Sequence, residues 1–166
     1  MSDKQVNILI FDEDNNFINT FEKNIYRQKT LNNNVHIQMD HINNVKSINS
    51  KDIKYNYDLY LINQNIDNDA KVSDIVRHIR DINFSSKIFI TSDSSDFRLL
   101  SKLCNIGIHG FVDKQNIDYQ NIATAINQIN NTKESIHKLQ AKMSNIDRIR
   151  EFATNALGES VRTKTA

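Results

Sequence analysis

Tyr57-Asp58-Leu59-Tyr60-Leu61-Ile62-Asn63 is the stretch that decides the fold. Four apolar or aromatic residues run without a polar break and stop at an amide. That is how a strand buried on both faces reads when its end reaches the surface. Other short apolar runs stop in the same manner. Ile8-Leu9-Ile10-Phe11 meets the acids Asp12 and Glu13, Ile88-Phe89-Ile90 meets Thr91, and Gly110-Phe111-Val112-Asp113 meets Lys114.

Helical spacings separate these runs. Phe17, Ile18, Phe21 and Ile25 share a face, and Val72, Ile75, Val76 and Ile79 follow at i, i+3, i+4, i+7. Phe97, Leu100, Leu103 and Cys104 mark a helix that stops at Gly107, a left-handed cap, and Cys104 is expected in the core. Ile122, Ala125, Ile126 and Ile129 mark the last of this series. Val35, Ile37 and Met39 alternate with polar residues, as in an edge-like strand with one covered face. Asn43 to Asn56 is the least legible stretch, where Val45, Ile48 and Ile53 predict a short, poorly capped helix inside a polar loop. Five alternating β-α units predict an α/β domain, a doubly wound five-stranded parallel sheet with helices on both faces. Its functional crevice lies beyond the carboxyl ends of the strands, where the polar residues above fall.

Composition bounds the rest. The chain has 166 residues, 39% hydrophobic and 25% charged, enough for one core and a hydrated surface. A net charge of +1 gives no general electrostatic reason to expect nucleic acid or an anionic membrane as partner. One cysteine excludes an internal disulfide and fits a reducing, cytoplasmic location. Residues 1–6 are polar and lack the apolar stretch of a secretion signal, so none is expected, and no apolar run reaches membrane-spanning length.

Past residue 130 the pattern changes. Ile136, Leu139, Met143 and Ile146 recur at spacings of three and four, with Ile149, Phe152 and Leu157 beyond. This divides the chain into a domain over 1–130, an amphipathic helix over 131–157 and a disordered tail over 158–166. The helix either starts afresh or continues the preceding one through Asn130-Asn131-Thr132. An apolar stripe this far past the sheet is covered most economically by a second copy or another partner helix.

The ordered set of acidic pair, acceptor position, Ser/Thr and Lys, each closing a strand, resembles the receiver domain of two-component response regulators. The resemblance also includes Tyr57-Asp58-Leu59 before the acceptor and Gly107-Ile108-His109-Gly110-Phe111 before the lysine. It covers residues 5 to about 130, and it implies the flavodoxin-like strand order 2-1-3-4-5. In such domains a histidine kinase gives its phosphoryl group to an aspartate. The resemblance gives Asp12 and Glu13 the place of the Mg²⁺-holding acids and Asn63 that of the phosphoacceptor. Asn65 takes the place whose carbonyl completes the metal shell, Thr91 that of the hydroxyl following the phosphate, and Lys114 that of the lysine pairing with it. Phe111 takes that of the switch aromatic. Phe97, Leu100, Phe111, Tyr119 and Ile122 are expected on the output face, around the fourth and fifth helices of the expected series.

The departures matter most. A carboxamide is a far weaker nucleophile than a carboxylate, so Asn63 is not expected to accept a phosphoryl group. It also leaves Asp12, Glu13 and Lys114 summing to about −1, one charge fewer than the usual pocket holds for Mg²⁺. Asp12 and Glu13 remain a weak Mg²⁺ candidate, but no metal or cofactor is expected, with Lys114 turned onto one of the two acids. The proline that often follows the acceptor loop is also absent from Asn65-Ile66-Asp67-Asn68.

This leads to a non-enzymatic, phosphorylation-independent pseudo-receiver: a cytoplasmic signalling module that binds protein partners. It would pair with itself through the C-terminal helix (Ile136, Leu139, Met143, Ile146, Ile149, Phe152), the fourth and fifth helices, or both. Two other readings stay open. One is a receiver and signalling helix from a longer regulator, or an Asp→Asn variant of a working receiver; the other, with less support, is a small-molecule-binding flavodoxin-like domain. His36, His41, His78, His109 and His137 show no metal-ligand spacing, and His36 and His109 are expected partly buried beside strands. Lys138, Lys142, Arg148 and Arg150 are interspersed with Glu134, Asp147 and Glu151, which reads as a hydrated helix face rather than a nucleic-acid surface.

Overall fold

A computed structural model describes residues 5–43, 53, 57–66, 69–93 and 97–162. The strands are β1 (Gln5–Phe11), β2 (His36–Ile42), β3 (Leu59–Asn63), β4 (Lys87–Ser92) and β5 (Gly110–Asp113). They form one parallel sheet in the order β2-β1-β3-β4-β5. The described helices are α1 (Asn15–Ile25), α2 (Asp69–Ile82), α3 (Phe97–Asn105) and α4 (Tyr119–Arg162). The helix expected around Val45 and Ile48 falls outside the described residues; Ile53 is buried.

Strand alternation sorts the core into two layers. Val6, Ile8 and Ile10, Leu59 and Leu61, Phe89 and Val112 face α1 and α4. Leu9 and Phe11, Tyr60 and Ile62, Ile88 and Ile90 face α2 and α3. Burial on both sides is why β1, β3 and β4 appear in the sequence as unbroken apolar runs. β2, at the sheet edge, keeps polar residues between its half-buried Ile37 and Met39.

Local chemistry fixes the element ends. Asp14 caps α1, accepting from the N–H groups of Asn16 at 2.9 Å and Phe17 at 3.1 Å. α3 ends as its glycine predicts: Gly107 has φ 93°, its N–H donates to Cys104 O, and Ile108 N–H donates to Leu103 O. Gly110 starts β5 under the Phe89 ring, where a Cβ would sit 2.8 Å from ring carbons. His36 and the cysteine depart from expectation. Cys104 is exposed: it lies about 100° round the helix from buried Leu103. His36 is exposed on the edge strand, whereas His109, though exposed on one side of its ring, is partly buried beside β4 as expected, its Nδ1 accepting from the Ile88 N–H.

The fifth helix and the amphipathic extension are one continuous element of 44 residues, about 66 Å long. At the Asn130-Asn131-Thr132 junction the polar side chains bond within the helix instead of capping it. Thr132 Oγ1 donates to Gln128 O, and Asn130 Nδ2 donates to Glu134 Oε1. Residues 158–162, expected in a disordered tail, continue the helix; a lone Gly158 costs only about 1 kcal/mol in a helix interior. Residues 163–166 fall outside the described residues.

Candidate functional site

The strand order reverses between β1 and β3, so the residues that follow those two strands meet at the topological switch point. Asp12 follows β1 and is fully buried; Asn63 ends β3 beside it. One carboxylate oxygen of Asp12, Oδ1, accepts from Asn63 Nδ2 at 3.1 Å and from the Asp14 N–H at 3.0 Å. Asn63 Oδ1 in turn accepts from the Asn65 N–H at 3.0 Å. These partners fix the amide's orientation, since a flipped Asn63 would set oxygen against the Asp12 carboxylate.

The other oxygen, Oδ2, lies 2.7 Å from Lys114 Nζ, with both side chains almost wholly buried. The approach is an ion contact whose angles miss those of a hydrogen bond, leaving that oxygen without a bonded donor. Lys114 reaches the pocket because its N–H extends the β4–β5 pairing to Ser92 O at 2.9 Å. Its ammonium also sits 4.9 Å from the centroid of the Phe17 ring on α1 and 3.9 Å from Asp93.

Thr91 pairs with Asn63 across the β3–β4 register, and its hydroxyl is buried with no hydrogen-bond partner among the described residues. Gln64, also buried, donates its N–H to Thr91 O at 2.7 Å. Glu13 points outward and is exposed, so Lys114 engages Asp12 rather than the second acid. The pocket therefore brings together Asp12, Asn63, Thr91 and Lys114. Asn65 joins them through its backbone.

The expected output residues do not form one surface. Ile122 is fully buried in the α1–α4 layer, and Tyr119 packs its ring on Phe21 at 5.9 Å. Phe111 is half-buried against the opposite layer, because strand alternation puts it across the sheet from Val112. The side chains of Phe97 and Leu100 fall outside the described residues. In contrast, Ile136, Leu139, Met143, Ile146, Ile149 and Phe152 are all half or more exposed.

Chemically, the buried carboxylate is met by a cation and two N–H donors from the chain itself. A hard divalent cation such as Mg²⁺ binds through anionic oxygens. Here Asp12 is already engaged, Glu13 faces outward, and Asn63 turns its NH₂ towards Asp12. These residues do not fit a tightly held Mg²⁺. No group of three or more potential metal ligands occurs among the described residues.

Solved structures of low sequence identity share this architecture. A response regulator receiver domain protein from Clostridium thermocellum superimposes with a TM-score of 0.59 at 15% identity, over 79% of this chain and 98% of that one. A response regulator receiver protein from Pseudoalteromonas atlantica gives a TM-score of 0.58 at 12% identity, over 76% and 98%. The chain has the receiver-domain fold. A protein provisionally assigned to pilus assembly (CpaE) in Burkholderia thailandensis has it too, with a TM-score of 0.57 at 10% identity over 75% and 97%. No family model matches the sequence, and no curated protein matches it.

Sequence reasoning missed the closure of the pocket by the Asn63 amide and the contact of Lys114 with Phe17. A polar residue at a strand end can be seen in the sequence. Which neighbour its atoms meet depends on how adjacent strands are ordered.

Proposed function

We propose that this chain is a pseudo-receiver, a non-enzymatic signalling module that works by protein contact and without phosphotransfer. The observation that carries this reading is the Asn63 amide bonded to Asp12 while Lys114 neutralises the same carboxylate. Position 63 offers no anionic nucleophile to a phosphoryl donor. The lysine that would draw the phosphoryl oxygens is already held in a buried ion pair. Fold alone does not fix function, so the shared scaffold does not by itself bring phosphotransfer with it. The exposed stripe on α4 supports dimerisation as part of the function.

The test is incubation with acetyl phosphate, and separately with beryllofluoride, each with Mg²⁺. Intact mass is read for the first and amide shifts around Thr91 and Phe111 for the second. The expected result is no added phosphate and no shift. Asn63→Asp restores an acceptor and the missing charge, and it should gain both responses. A phosphate adduct on the unaltered chain within this crevice would sink the reading.

A further inference from the structure

Among the described residues, Lys133 and Glu134 make the last hydrogen bonds from α4 to the rest of the domain. Lys133 Nζ donates to Gln5 O at 2.8 Å and Asp58 Oδ2 at 2.7 Å, and Glu134 accepts from Asn34 at 3.1 Å. Ile136 then lines the groove between α4 and the Ser85–Lys87 turn, at the amino-terminal edge of the sheet. From there the helix runs out roughly 40 Å to Arg162. Ile136, Leu139, Met143 and Ile146 lie along it in a 3-4-3 spacing, 50% to 64% exposed. In heptad terms Ile136, Met143 and Arg150 take a, Leu139 and Ile146 take d, Lys142 takes g and Asp147 takes e.

We propose that this stripe is the seam of a parallel, in-register, two-stranded coiled coil with a second copy of the chain. Lys142 of each chain meets Asp147 of the partner subunit. This rests on the reading of the chain as a dimerising module, and it adds the partner's orientation and register.

Charge argues for the parallel arrangement. Parallel chains set g against the e position five residues on in the partner, which brings Lys142 to Asp147 twice by symmetry. Antiparallel chains set e against e and g against g. The lysine at an e position that could then meet Asp147 is Lys133, and Asp58 already holds it. In the first heptad Ile136 at a with Leu139 at d favours a pair, a preference that Ile146 at the next d does not add to, and a single basic a residue, Arg150, penalises shifted registers.

Geometry leaves room for the partner. At about 100° per residue, the direction of a heptad stripe drifts about 20° per heptad on a straight helix. The mean direction of Ile136 to Ile146 lies about 90° round from that of Ile122, Ile126 and Ile129, which face the sheet. A partner approaching the seam therefore passes beside the domain and does not run into it.

The test uses the full chain with Cys104→Ser, so that an introduced cysteine is the sole thiol. Sedimentation should show a dimer. Leu139→Cys should give a disulfide-linked dimer under mild oxidation, because only the parallel register sets residue 139 opposite itself. Lys142→Asp or Asp147→Lys alone should weaken dimerisation roughly 3- to 10-fold, and the two together should restore it. Met143→Asp with Ile146→Asp should give monomers with unchanged tyrosine spectra, since both positions are exposed. Monomers of the unaltered chain at every concentration would overturn the proposal. So would a dimer that resists the Leu139→Cys cross-link, or a charge swap that fails to rescue. Acetyl phosphate is omitted, so the result bears on pairing whatever the mass experiment shows at the crevice.

Discussion

A carboxylate buried as deeply as that of Asp12 must be met by positive charge and hydrogen-bond donors, or it costs several kcal/mol. The Asn63 amide and the Asp14 N–H take one oxygen, and Lys114 neutralises the other. Removing the lysine alone would strand the charge. Lys114→Met should cost about 3–5 kcal/mol in urea unfolding, while Asp12→Asn added to it should recover most of that loss. A double variant no more stable than Lys114→Met would show that the lysine acts by packing, through its contact with Phe17. At this scale the sequence was partly legible. Asp12, Asn63 and Thr91 each end an apolar run and Lys114 follows one after Asp113, and such endings can be read directly. The outward turn of Glu13 could not be read, because consecutive residues past a strand end leave in different directions.

Elements are joined by a cluster that no motif signals. Arg80 on α2 donates to the carbonyls of Gly107 at 2.9 Å, Phe84 at 3.1 Å and Ser86 at 2.9 Å, tying the start of β4 to the α3–β5 turn. His109 completes the tie: its Nδ1 accepts from the Ile88 N–H at 3.2 Å and lies 3.2 Å from Arg80 Nη2. Two donors on Nδ1 place the proton of the neutral ring on Nε2. Burial of that edge, with Lys87 and Arg80 beside it, pushes the imidazole down to about 4 from its usual 6.5. Between those values the unfolded chain binds the proton and the folded chain does not, so stability rises with pH across the window. The contribution is complete above pH 6.5 and is lost as pH falls through about 4. Urea midpoints at pH 7 and pH 5 should therefore differ more for the unaltered chain than for His109→Gln. Equal slopes would remove His109 from the account. The same elements show why the output face was misjudged. Periodicity tells that Phe111 and Ile122 are apolar, but only the β5 alternation assigns them to opposite layers of the sheet.

At the scale of the whole molecule, the alternation of strands and helices and the apolar stripe past residue 130 were legible because two simple periods dominate: unbroken runs in the strands, then a 3-4 repeat. The strand order came from the receiver resemblance. Less legible was where the domain releases that helix. Hydrogen bonds between Asn127, Lys133 and Glu134 and the rest of the domain mark the point, and they span 75 to 128 residues of sequence. Past Ile136 the helix contributes little to the domain's own stability, so the molecule should unfold in two parts. All five tyrosines (Tyr26, Tyr55, Tyr57, Tyr60 and Tyr119) precede that point, so tyrosine signals report the domain alone. Far-ultraviolet ellipticity reports the domain and the helix together. On heating, the tyrosine midpoint should not move with protein concentration. Ellipticity should show a further phase whose midpoint rises with concentration, as mass action requires of a melting dimer. A chain ending at His137 should lose that phase and keep its tyrosine midpoint within about 2 °C, since it retains every described bond between α4 and the sheet. A tyrosine midpoint that climbs with concentration would mean instead that pairing and the domain core unfold as one unit, with the helix holding the domain together.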